Sequence, residues 1–83
     1  MLGLQYTRQA LDHWKFWRPK MYRELARSGE LNHHAQTASR KAAEKVGSLM
    51  RQGLTQHEAE ELVLPDLINL PPEQEVLDRI NRE

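Results

Sequence analysis

Trp14–Asn32 reads WKFWRPKMYRELARSGELN. It holds both tryptophans, the only phenylalanine and one of the two tyrosines. At about 100° per residue, Ala10, Leu11, Trp14, Met21 and Leu25 share one stripe, flanked by Trp17 and Tyr22. That pattern is an amphipathic helix beginning near Thr7, a good N-cap. Pro19 interrupts it, removing one backbone donor and crowding the preceding turn. Either one long helix from Thr7 to Ser28 is kinked there, or it breaks and a second helix starts with Pro19 at its first position. The stripe stays in phase across Pro19, which favours the kinked helix. Gly29 supplies the left-handed residue that ends it, and Arg23 and Arg27 suit the C-terminal dipole.

Beyond SGELN, Leu31, Ala35, Ala38, Ala42, Val46 and Leu49 recur at steps of three and four. They predict a second helix from Glu30 or Leu31 to Gln52. Its alanines let the aromatic helix approach closely, and the short turn at Ser28–Glu30 makes the two an antiparallel hairpin. Gly53 stops this helix. Thr55 and Glu58 then form a capping box for a third, with Ala59, Leu62 and Val63 facing inward. Pro65 kinks or ends it after Leu64, and Leu67, Ile68 and Leu70 carry the apolar character through a last turn. Pro71-Pro72 is a firm break. After it, Val76, Leu77 and Ile80 lie on one face of either a short helix or a frayed tail. The expected fold is therefore all-α, a small three-helix bundle with a fourth helix if the end folds. It is built on a long antiparallel hairpin whose first helix is kinked at a proline. Residues 1–70 form the helical domain and 71–83 a C-terminal tail or short helix.

Eighty-three residues make one domain of marginal stability unless it packs efficiently or associates. Without cysteine, neither a disulfide nor a thiolate metal site staples it. MLGLQYTR has no long apolar run, so no signal peptide or membrane span is expected, and the chain reads as cytoplasmic. The net charge of zero hides an asymmetry. Residues 1–51 carry ten Lys/Arg against four Asp/Glu, and residues 52–83 carry two against eight, giving +6 and −6. The two halves either attract each other within the fold or steer a charged partner.

Two stretches resemble a known family. Met21–Gln36, MYRELARSGELNHHAQ, is similar to the middle of the TnpV-like family of small transposon-encoded proteins, which shows a Tyr/Leu-rich helix, an SG(K/E)LN turn and a long helix. Ala59–Ile68, AEELVLPDLI, resembles that family's closing segment. The resemblance implies a protein encoded on a transposon, prophage or similar element. It implies no activity.

The chain offers little that could carry chemistry. His33 and His34 are adjacent and diverge by about 100° on a helix, and no HxxxH or HExxH spacing exists. Neither metal nor cofactor is expected; Glu30 is placed to pair locally with His33 or His34. Glu58, Glu60 and Glu61 fall in the first turns of a helix, where negative charge is favoured, with Asp66 beyond. Ser28, Ser39 and Ser48 are accounted for by helix ends or surfaces. Arg18, near the apolar stripe, either snorkels or pairs with an acid such as Glu61.

What remains is binding. If the first helix keeps its register across Pro19, Phe16, Lys20, Arg23 and Arg27 fall opposite the core as an aromatic ring among three cations. Such a patch suits a phosphate backbone with a stacked base, or an acidic protein surface. The expected function is a non-enzymatic interaction protein of a mobile element or phage that binds and regulates another protein. One form inhibits a host nucleic-acid machine, with Glu58, Glu60, Glu61 and Asp66 mimicking phosphates. The alternative is a DNA-binding accessory factor using Lys20, Arg23, Arg27, Arg40, Lys41 and Lys45. A homodimer is compatible with either.

Overall fold

The computed structural model describes residues 3–82, and every regular element among them is an α-helix. In order these are α1 (Thr7–Trp17), α2 (Pro19–Ser28), α3 (Leu31–Arg51), α4 (Gln56–Leu67) and α5 (Gln74–Asn81). The protein is all-α, with five helices where three or four were expected.

The additional helix in the first half comes from Pro19. The expected long kinked helix is broken instead: Arg18 leaves the helical region at φ −129°, ψ 57°, and α2 restarts with Pro19 in its first turn. The proline ring disfavours helical backbone at the residue before it. Apolar phase alone therefore does not establish continuity. The start of α1 also differs. Tyr6 occupies the N-cap without a side-chain cap, and the Thr7 hydroxyl is buried with no hydrogen-bond partner.

Other punctuation follows the sequence. Gly29 is left-handed (φ 80°), its N–H reaches Ala26 O at 3.2 Å, and Glu30 N–H reaches Leu25 O at 3.0 Å, closing the orphaned carbonyls of α2. Gly53 (φ 109°) follows α3, and Leu54 N–H bonds back to Leu49 O. The Thr55/Glu58 capping box opens α4. Pro65 does not end α4, which runs on to Leu67. Glu61, whose carbonyl loses its helical donor at Pro65, is on the exposed side with Pro65, where water can take that place.

The core sits where α3 meets α1, α2 and α4. Ala35, Ser39, Ala42 and Val46 line the buried face of α3, and Ala10 and Ala59 are fully buried on α1 and α4. Five small side chains among these, four alanines and Ser39, let the helices approach closely. Trp14 fills the space between them and donates its indole N–H to Ile68 O at 2.8 Å. Leu62, expected inside, is 61% exposed; the buried positions of α4 are Ala59, Val63 and Leu64. Val76 of α5 is buried, whereas Leu77 and Ile80 are not.

The molecule is a plate, with extents of 43 × 31 × 13 Å. Its radius of gyration is 14.1 Å, against about 12 Å for a compact domain of this length.

Candidate interaction surfaces

The α1–α2 break is held by a residue from the far end of the chain. Glu73 N–H donates to Trp17 O at 3.0 Å, satisfying a carbonyl at the end of α1. Its carboxylate accepts the Lys20 N–H at 2.9 Å and the Met21 N–H at 3.0 Å, the free donors in the first turn of α2. The Glu73 side chain is only 15% exposed and lies 3.9 Å from Arg18 Nε, while Arg18 Nη1 donates to Pro71 O at 3.1 Å. Arg18 thus pairs with Glu73 and not with Glu61. Glu73 and the Pro71 carbonyl hold the residues of the break, and negative charge at a helix N-terminus suits the dipole.

A second anchor is Ser39. It is fully buried, contrary to its expected place on a helix surface. Its hydroxyl donates to Gly3 O at 2.6 Å and accepts the Tyr6 N–H at 3.0 Å, so α3 holds the turn that precedes α1. Gly3 has φ +81°, and a Cβ there would meet Arg40 Cγ at 3.2 Å. Tyr6 is buried to 5%, and its phenol donates to Glu60 Oε2 at 2.7 Å. Burial first, then the Glu60 carboxylate, pushes the Tyr6 hydroxyl up to about 12.

The acids expected to bind a partner have different fates. Glu60 is taken by Tyr6 and Gln56. Glu58 is taken by the cap: the Thr55 N–H donated to its carboxylate, helped by the Thr55 side chain, holds it below the ordinary carboxylate range. Glu61 faces His57 at 2.9 Å, one helical turn back. Asp66 is exposed and has no ion pair among the described residues. Elsewhere Glu30 pairs with His34 at 3.3 Å, and no pairing joins it to His33. Among the described residues, no three His, Asp or Glu side chains gather as metal ligands would.

The cations are used differently. Among the described residues, only Arg18–Glu73 joins the basic half to the acidic half; the other pairs are local, each spanning one helical turn. Internal attraction therefore leaves most of the charge polarity unspent. Lys20, Arg23, Arg27, Arg40, Lys41 and Lys45 are all exposed, and none has a carboxylate within 4 Å among the described residues. Lys20, Arg23 and Arg27 keep helical spacing on α2. Phe16 belongs to α1, so the break ends the single register on which the four were grouped. Phe16 is 65% exposed and sits edge-on to Trp17 with ring centroids 4.7 Å apart.

Two depressions lie where α3 meets a neighbouring helix. One, of about 350 Å³, opens between α3 and α4 around Lys45, Leu49, Leu62 and Asp66. A smaller one, of about 230 Å³, lies where Met21 and Leu25 of α2 face His34 and Lys41 of α3.

No family model, curated protein or solved structure matches this chain. No helix among the described residues is long and apolar enough to cross a membrane.

Glu73, Ser39 and Tyr6 escaped the sequence reading. Ser39 left a signal, being in phase with Ala35 and Ala42 on the buried stripe. Glu73 left none, because a cap supplied from across the fold has no local spacing.

Proposed function

We propose that the chain is a non-enzymatic interaction protein of a mobile element or phage, acting in the cytoplasm by binding another protein. The observation that carries this reading is how the charges are spent. Carboxylates cap helices and hold Tyr6, while among the described residues six cations (Lys20, Arg23, Arg27, Arg40, Lys41 and Lys45) stand exposed with no carboxylate within 4 Å. Phe16 adds an apolar anchor of the kind that, with Arg, dominates binding energy at interfaces. The resemblance of Met21–Gln36 and Ala59–Ile68 to the TnpV-like proteins supports the mobile-element origin. In the form that inhibits a host nucleic-acid machine, the exposed acids of α4 left outside the cap, Asp66 first and Glu61 beside His57, take the places of phosphates.

The test is capture from host cells with tagged wild type and with a Phe16→Ala/Arg23→Glu/Arg27→Glu variant, followed by measurement with the purified partner. Loss of affinity by at least about tenfold in the variant is expected; equal affinity for both proteins sinks the assignment of this surface.

A second reading, DNA binding, is favoured by the same unpaired cations. If all six meet phosphates, log affinity should fall against log salt with a slope of about −5. A flat dependence, or no duplex binding at low salt, removes it.

A further inference from the structure

We propose that the groove between α3 and α4 is the docking site for a second copy of this chain, joined as a two-fold symmetric dimer. The groove has walls of opposite character. The α3 wall presents Lys45 above Leu49, and the α4 wall presents Asp66 beside Leu62, Val63 and Leu67. Lys45 and Asp66 line one groove without forming an ion pair with each other. Leu62, 61% exposed, stands over it.

A two-fold axis running along such a groove, in the plane of the interface, lays each α3 wall over the α4 wall of the other copy. Lys45 then meets Asp66 of the second copy twice, and each Leu62 is offered the apolar floor of the opposite groove. This is the self-complementarity that an isologous interface requires. Glu44 is the one acid on the α3 flank, beside Lys41 and Lys45, so that wall stays positive. Zero net charge means that no overall repulsion opposes two copies, and the +6 and −6 halves favour their opposed arrangement.

Surface area supports the same occupant. A compact monomer of 9.7 kDa exposes about 5,100 Å², whereas this plate exposes 5975 Å². The excess, of the order of 800 Å², comes from the flat shape, which leaves broad faces on which a second copy can rest. The groove shares Lys45 and Asp66 with the wider charged surface but uses none of Phe16, Lys20, Arg23 and Arg27, so the Phe16/Arg23/Arg27 variant tests partner binding without touching the dimer.

Sedimentation equilibrium on the full chain tests the proposal. The wild type should reach twice the mass of 9.7 kDa below about 500 µM. Lys45→Glu and Asp66→Lys should each weaken dimerisation at least about tenfold, because symmetry doubles every like-charge contact. The double variant should return close to wild type, and Leu62→Asp should be monomeric. A single-chain mass for the wild type throughout that range overturns the proposal, as does a dimer indifferent to all four variants. Should a variant fail to fold, amide shifts of the wild type on dilution decide: changes centred on Leu49, Leu62 and Asp66 support the groove, and changes elsewhere reject it.

Discussion

Replacing Glu73 with alanine removes three interactions at the α1–α2 break at once. The carboxylate accepts two backbone N–H groups at 2.9 and 3.0 Å and faces Arg18 at 3.9 Å. Loss of an N-cap costs about 0.5–2 kcal/mol, and hydrogen bonds to charged groups are worth about 1.5–3 kcal/mol each. The two bonds share one carboxylate, and the Lys20 N–H can turn to water, so their values do not add fully. Glu73→Ala should therefore destabilise by about 2–3 kcal/mol. In a chain this small that is of the order of half the total stability, and the melting temperature should fall by roughly 10–20 °C. Glu73→Gln keeps one acceptor oxygen and loses the charge, so it should cost about 1 kcal/mol. Urea melts followed by far-UV circular dichroism measure both. A Glu73→Ala loss below about 0.5 kcal/mol, the range of ordinary surface substitutions, would refute the cap as what fixes the break. Equal losses for Ala and Gln would show that packing matters there and charge does not.

Three further outcomes follow from the same contacts. The folded state holds the Tyr6 proton up to about pH 12 against an ordinary value of 10. Its contribution is therefore whole below pH 10 and is lost as pH rises through 12, an effect of the order of 2–3 kcal/mol. Urea melts across that window should show wild type losing stability relative to Tyr6→Phe, and parallel curves refute it. Ser39→Ala strands the Tyr6 N–H and the Gly3 carbonyl, and thermal melts should register a loss of about 1–3 kcal/mol. Phe16→Ala should leave stability within about 0.5 kcal/mol by the same melts while weakening partner capture, since the ring is largely in solvent.

Much of the helical framework was legible because its signals are local. Gly29, Gly53 and the Thr55/Glu58 box act within a few residues of themselves, and each does in the fold what its chemistry implies. Pro19 was harder. Phase argued for one helix, while the backbone of Arg18 responded to the proline ring beside it, and here the local steric effect won. Leu62 misled for a related reason. On α4 the inward positions are Ala59, Val63 and Leu64, so the helix is turned slightly from the face that hydrophobicity alone chooses. The candidate site was less legible than the fold. Charge polarity is visible in composition, but which carboxylates are spent inside depends on contacts such as Tyr6–Glu60 and Glu73–Met21, made by residues distant in the chain.

Those contacts give the polarity a physical origin. A carboxylate is useful to an all-helical chain, because each helix begins with N–H groups in need of acceptors, and Glu58 and Glu73 supply them at α4 and α2. Cations have the complementary role at helix C-termini, but there Gly29 and Gly53 already close the carbonyls of α2 and α3 through backbone bonds. The Lys and Arg side chains of those two helices are thus released from folding. Acids concentrated toward the end of the chain reach back to fasten its beginning, and the bases at the beginning remain to meet other molecules. The internal consequence is that neutralising Glu58 or Glu73 acts first on stability. The external one is that neutralising Lys45, Arg23 or Arg27 acts first on association.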